Sequence, residues 1–146
     1  MKISVYNRQR KVRVALPWLR KIAKLALPVA ARHCPDSRFP LRYLEEVEIV
    51  IVSDKVIAEV HQRFMNIPGP TDVITFDHGE IVMSAETAQE YGARYGQTIN
   101  VELALYTIHG LLHLNGYDDH TTRDARRMRN LQQRILQACL TQLPAS

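Results

Sequence analysis

The apolar residues of this chain change period several times, and each change predicts an element. Ile3 and Val5, then Val12 and Val14, alternate with polar neighbours, which predicts one or two short strands. Leu19, Ile22, Ala23, Ala26 and Leu27 follow helical spacing, in a helix that opens near Pro17, where the fixed φ of proline suits the first turn. Residues 34–42, with Pro35 and Pro40, read as a loop, and residues 47–52 are rich in β-branched side chains and read as a well-buried strand.

Ser53 can cap a helix running to about Phe64, with Val56, Ile57, Val60 and Phe64 inward, before Pro68-Gly69-Pro70 breaks the chain. Residues 72–76 and 80–83 predict two strands joined at Asp77-His78-Gly79, and Ser84 caps a helix over residues 85–95. A helix from about Asn100 is apolar at nearly every position and should stop near Gly116, so it is expected at the centre of the fold. Thr121, with Asp124 three residues later, opens the last helix, whose Met128, Leu131, Ile135 and Leu136 face the core while its arginines face out. Strands and helices without regular βαβ alternation predict an α+β fold. The expectation is a single domain over residues 1–146, with a small mixed sheet packed against several helices.

Composition narrows the class without changing this outline. The 146 residues are 46% hydrophobic and 23% charged, which excludes collagen-like, low-complexity and intrinsically disordered chains. The longest apolar run, residues 25–31, is interrupted by Pro28 and is far short of the roughly 20 residues of a membrane span. The first eight residues turn polar at once, unlike a secretory signal. Cys34 and Cys139 lie far apart without a CxxC partner, so a cytoplasmic protein with no disulfide framework is expected.

Charge is segregated. Residues 1–42 hold eleven basic residues against Asp36 alone, residues 43–119 hold Lys55, Arg63 and Arg94 against thirteen acids, and Arg123, Arg126, Arg127, Arg129 and Arg134 then face only Asp124. Basic ends suit a polyanion such as nucleic acid, since lysine and arginine release counterions from phosphates. The same residues would also serve as solvated helix faces.

The chemistry concentrates in residues 109–120. His109 and His113 stand four apart on the central helix, one turn apart on one face, where both imidazoles can reach one metal ion. On an otherwise apolar helix, two uncoordinated imidazoles would need other buried partners. Gly116 allows a sharp turn, after which a third ligand can swing back. The H-x3-H-x2-G-x2-ligand spacing of metzincins places Asp119 there, while His120, one residue later, is the alternative. Imidazole and carboxylate ligands favour zinc, one ion per chain. His33, His61 and His78 are scattered. The HExxH general base is absent, because Gly110 stands where that glutamate would be, so peptide hydrolysis is a secondary reading.

The run His109-Gly110-Leu111-Leu112-His113-Leu114-Asn115-Gly116-Tyr117-Asp118 resembles the HGxLHLxGYDH signature of the bacterial YbeY family of metal-dependent endoribonucleases and rRNA maturation factors. Pro70-Thr71-Asp72-Val73-Ile74-Thr75-Phe76, followed by Gly79-Glu80-Ile81 and Ser84-Ala85-Glu86-Thr87-Ala88, is similar to a second block of that family. The resemblance implies an α+β domain with zinc on three ligands of the signature. It also implies a cytoplasmic single-strand-specific endoribonuclease acting in 3′-end maturation of 16S rRNA and in ribosome quality control. The implied partners are RNA, mainly rRNA, and the small ribosomal subunit with its proteins, with no membrane. Arg123, Arg126 and Arg127 are candidate RNA-binding residues.

Two positions depart from the family pattern. Its third histidine falls at Asp119, with His120 next, and the arginine that precedes its second block falls at Met65, with Arg63 nearby but out of register. Three readings follow. An RNA endonuclease requires chelator-sensitive cleavage, a zinc peptidase requires peptide hydrolysis, and a zinc-stabilised ribosome-associated factor requires binding without turnover. Within the first, attack by an activated water and attack by the RNA 2′-hydroxyl are both open, with Asp118, Asp119 or His120 available for proton transfer.

Overall fold

A computed structural model of the protein describes residues 1–34 and 41–146. Strand β1 (Lys2–Asn7) leads to helix α1 (Leu16–Arg32), and a 3-10 turn at Leu41–Tyr43 precedes β2 (Glu46–Val52). Helix α2 (Asp54–Met65), strands β3 (Val73–Phe76) and β4 (Glu80–Ser84), and helices α3 (Ala85–Tyr95), α4 (Ile99–Leu114) and α5 (Thr122–Leu140) follow. The loop expected around Pro35 and Pro40 lies outside the described residues apart from its ends. The strands form one mixed sheet in the order β1-β2-β4-β3, with β3 antiparallel to β4 and the other pairs parallel. This is the α+β arrangement expected from the sequence.

Alternation along the strands gives the sheet two apolar faces. Val47, Ile49, Ile51, Ile81 and Met83 point to one side, into the main core with α1, α3, α4 and α5. Val50, Val52, Ile74 and Val82 point to the other, where α2 adds Ile57 and Val60. Helix α4 is buried along nearly its whole length, as its unbroken apolar sequence requires.

Three helices start where capping chemistry placed them. Ser53, Ser84 and Thr121 each accept a hydrogen bond from the backbone N–H three residues on. The first two caps are tied together, because the Ser84 and Thr87 hydroxyls both donate to Asp54 Oδ1, at 2.5 and 2.7 Å. The starts of α2 and α3 thus form one polar cluster.

Two expectations require correction. The alternation at Val12 and Val14 does not produce a second strand: the Gln9 side chain accepts from Val12 N–H at 2.9 Å and donates to Val12 C=O at 2.8 Å, taking the backbone groups a strand partner would use. Val12 is buried all the same. On α2 only Ile57 is fully buried; Val56 is 39% and Phe64 60% exposed, because a single helix is too narrow to cover the outer face of four strands.

One buried acid stands out on α4. Glu102 lies beneath the surface beside the buried Tyr106 hydroxyl, which is near its carboxyl but outside hydrogen-bond geometry. Burial, outweighing the nearby hydroxyl, raises the Glu102 pKa above its usual 4.5. Above pH 4.5 the unfolded chain ionises first, so this residue subtracts stability as pH rises toward its folded pKa. Glu102→Gln is therefore expected to melt higher than the parent at pH 8, with the gap closing near pH 4, as thermal scans across that range would register.

Candidate metal centre

Helix α4 delivers two imidazoles to its C-terminal end, and the turn after it returns a carboxylate. His109 and His113 sit one turn apart with ring centroids 4.5 Å apart and rings nearly perpendicular. The C-cap is Asn115 and Gly116 takes φ 99°, a left-handed conformation that glycine adopts without strain, so the chain reverses there. Asp119 Oδ2 then lies 3.8 Å from His109 Nε2 and 3.9 Å from His113 Nε2. Its neighbour His120 lines the same cleft but is exposed and outside this group, its backbone N–H donating to Asp118 Oδ1 at 3.3 Å.

The far nitrogens explain why the near ones converge. His113 Nδ1–H donates to the Tyr117 carbonyl at 2.8 Å, and His109 Nδ1–H donates to Gln132 Oε1 at 2.7 Å. A carbonyl can only accept, so each Nδ1 carries the proton and each Nε2 presents a bare lone pair. The two Nε2 atoms stand 2.9 Å apart, facing one another and a carboxylate oxygen. Three acceptors with no proton between them repel, and a shared cation converts that repulsion into coordination. Burial, and then the neighbouring His109, hold the His113 pKa below its usual 6.5, which keeps the imidazole neutral and ready to ligate at pH 7. The donor set and its spacing within 4.8 Å fit a single divalent ion.

Gln132 was not anticipated. It lies on the inward stripe of α5 among Met128, Leu131, Ile135 and Leu136, and a polar residue on an otherwise apolar face was the available signal. Because it holds the second nitrogen of His109, a candidate ligand, Gln132→Leu is expected to weaken metal affinity about 10- to 100-fold with the fold retained, measurable by competition with a chromogenic chelator.

Asn115 was likewise silent in the sequence. Its amide is wholly buried: Oδ1 accepts from Leu41 N–H at 2.8 Å, and Nδ2 donates to the carbonyls of Ala30 at 2.9 Å and of His33. These bonds tie the end of α4 to the end of α1 and to Leu41, holding in place the turn that leads to Asp119.

Gly110 has a structural reason as well as a chemical one. A Cβ at this position would come within 2.6 to 2.9 Å of the Ile81 side chain, so α4 packs on the sheet through the glycine. The glutamate of an HExxH motif has no room here.

The cleft in front of the imidazoles has a volume of about 710 Å³. Thr71 and Asp72 line its far wall, with Asp72 Oδ1 accepting from Val73 N–H at 2.7 Å. Met65 also lines it, whereas Arg63 does not and holds its guanidinium 5.5 Å from the Phe64 ring. Beside the cleft, Arg123, Arg126 and Arg127 share a depression of about 600 Å³ with Thr122 and Asn130 at the start of α5. The Arg127 guanidinium sits 5.4 Å over the ring of Tyr117, whose carbonyl holds His113, so this basic surface adjoins the histidine pair. His33 and His61 do not join the group, and His78 lies 3.8 Å from Glu80.

Comparison with known proteins gives a consistent result. A family described as Endoribonuclease YbeY matches residues 4–140. A protein named Endoribonuclease YbeY from Saccharopolyspora erythraea is 31% identical over 93% of this chain and 79% of its own length. One of the same name from Mycobacterium ulcerans is 36% identical over 63% of this chain, a match that spans about 62% of the length of that relative. In fold, the chain is similar to a Thermotoga maritima protein solved in solution, with TM-score 0.67 and 23% identity over 96% of this chain and 90% of the other.

Proposed function

The chain belongs to the YbeY endoribonuclease family, and from that premise we propose that it hydrolyses RNA phosphodiester bonds in the cleft before His109, His113 and Asp119. The observation that carries this reading is the convergence of two bare imidazole nitrogens and a carboxylate oxygen beside an arginine surface. His109, His113 and Asp119 would hold one zinc ion, which when bound supplies Lewis acidity and lowers the pKa of water toward roughly 7. Arg123, Arg126 and Arg127 bind phosphates on one side of the scissile bond, as five-donor guanidinium groups do. Asp118 and His120 line the cleft outside the ligand group, which supports a role for either in accepting or returning a proton.

The open, cleft-like site and its flanking cations suit an unpaired strand. On the family resemblance, the substrate is single-stranded RNA, in particular the 3′ end of 16S rRNA, within ribosome maturation and quality control in the cytoplasm. The small ribosomal subunit is the partner on this reading. No described helix is long and apolar enough to cross a membrane.

The test is incubation of metal-quantified protein with a labelled rRNA 3′-terminal fragment, alone and with small subunits. Cleavage is expected from the parent, and is expected to vanish on chelation and in His109→Ala. Asp119→Asn should lose metal and His120→Ala should keep it. Tight binding without cleavage would replace this reading with a zinc-stabilised maturation factor, favoured by Met65 standing where the family has an arginine. Peptide hydrolysis without RNA affinity would replace it with a peptidase.

A further inference from the structure

A row of rings runs along the outer side of β3, away from the metal ligands. Phe64 on α2 meets Phe76 on β3 edge to face at 5.3 Å between centroids, and Phe76 stacks with His78 at 5.7 Å and 22° between planes. The Arg63 guanidinium covers the near end, 5.5 Å from the Phe64 centroid. Phe64 is 60% exposed and the side chain of His78 72%, so both ends of the row reach solvent, with Arg63 lying over the Phe64 ring. Phe64 and Phe76 form one wall of an apolar trough of about 320 Å³, which Val56, Val60 and Val82 floor.

The row lies one strand's width from the metal cleft. Met65, next to Phe64, lines the cleft, as do Thr75 and Asp77 on either side of Phe76. Alternation of side chains along a strand sends Thr75 and Phe76 to opposite faces of the sheet, and β3 is an edge strand, so only its width separates the two surfaces. Arg8, Glu48 and Glu80 also line the trough. With two carboxylates against one guanidinium the trough disfavours phosphate, and its apolar floor and rings suit the uncharged faces of bases, with Arg63 supplying a cation beside the first ring.

We propose that Phe64, Phe76 and His78 form a stacking platform for unpaired bases of the RNA strand whose backbone passes through the metal cleft. The proposal rests on the RNA-cleavage reading and adds the chemistry by which the strand is held beyond the scissile bond. A strand crossing the β3 edge exchanges solvent-exposed bases for aromatic faces, an interaction that does not depend on sequence because every base has a π face. The platform therefore selects single strands, since paired bases cannot splay onto it.

The experiment is a cycle of ring against base. Metal-loaded protein is titrated by fluorescence anisotropy with a short 2′-O-methyl phosphorothioate RNA, which resists cleavage, and with the same backbone stripped of its bases. Parent, Phe64→Leu and Phe64→Tyr are compared, and cleavage of ordinary RNA is followed in parallel. The parent is expected to prefer the base-bearing strand by about tenfold or more. Phe64→Leu should lose most of that preference with affinity for the baseless strand unchanged, and Phe64→Tyr should restore it. Because Phe64 is largely exposed, both variants are expected to fold. A Phe64→Leu variant that weakens both strands equally, or neither, overturns the platform, as does a parent that does not distinguish the strands. A trough that serves a protein partner instead gives that result. If the preference and its loss appear without cleavage of ordinary RNA, the platform stands and the nuclease reading fails. If cleavage appears without the preference, the reverse holds.

Discussion

Replacing His113 by alanine is expected to strip the protein of bound metal and to slow RNA cleavage on the order of a thousandfold, because metal-assisted chemistry accounts for several kcal/mol of barrier lowering. The two remaining groups, His109 Nε2 and Asp119 Oδ2, stand 3.8 Å apart and make at most a two-ligand site. The loss should be of metal rather than of fold. His113 is only partly buried, and its removal also removes the 2.9 Å approach of two unprotonated nitrogens. Chelator should therefore lower the melting temperature of the parent, which loses the stabilisation of a bound ion, and leave that of His113→Ala unchanged. Metal analysis, single-turnover cleavage and melting with and without chelator make the comparison. A metal-free variant that cleaves RNA at the parental rate would remove these residues from the mechanism.

The second large effect concerns stability. Alanine for glycine within a helix ordinarily stabilises by about 1 kcal/mol. Gly110→Ala is expected to do the opposite, by about 1–3 kcal/mol, because the new methyl meets three Ile81 side-chain carbons at 2.6 to 2.9 Å in the core. Helix α4 would have to move off β4 or Ile81 leave its position, and either displaces the helix that carries both imidazoles. Urea unfolding of Gly110→Ala should show the loss, and the double variant Gly110→Ala/Ile81→Val should recover part of it. A stabilised Gly110→Ala would mean that this contact relaxes freely and that the glycine serves another purpose.

Much of this was legible in the sequence because it depends on near neighbours along the chain. Ser53, Ser84 and Thr121 cap helices through bonds spanning three residues. His109 and His113 share a face because an α-helix repeats every 3.6 residues. Gly116 allows a reversal because it lacks a Cβ. The same locality misled at Val12, whose alternation looked like a strand until the Gln9 amide closed on its backbone. It misled again at Phe64, whose helical period could not reveal how much of the sheet α2 would leave uncovered.

The sequence by itself determined the elements, the α+β class, the histidine pair and the family resemblance, since each is written in spacings of a few residues or in a contiguous motif. Motif spacing put Asp119 at the third position with His120 as the alternative, and tertiary structure brought Asp119 within 4 Å of both imidazoles, because one residue of difference after a turn sends side chains in different directions. It also brought Gln132, on another helix, to the far nitrogen of His109, and set Met65 rather than Arg63 on the cleft. It gave Gly110 its contact with Ile81, on a strand far away in the chain. These contacts join residues distant in sequence, and they exist only once burial of the apolar faces has fixed how the helices and the sheet lie against one another.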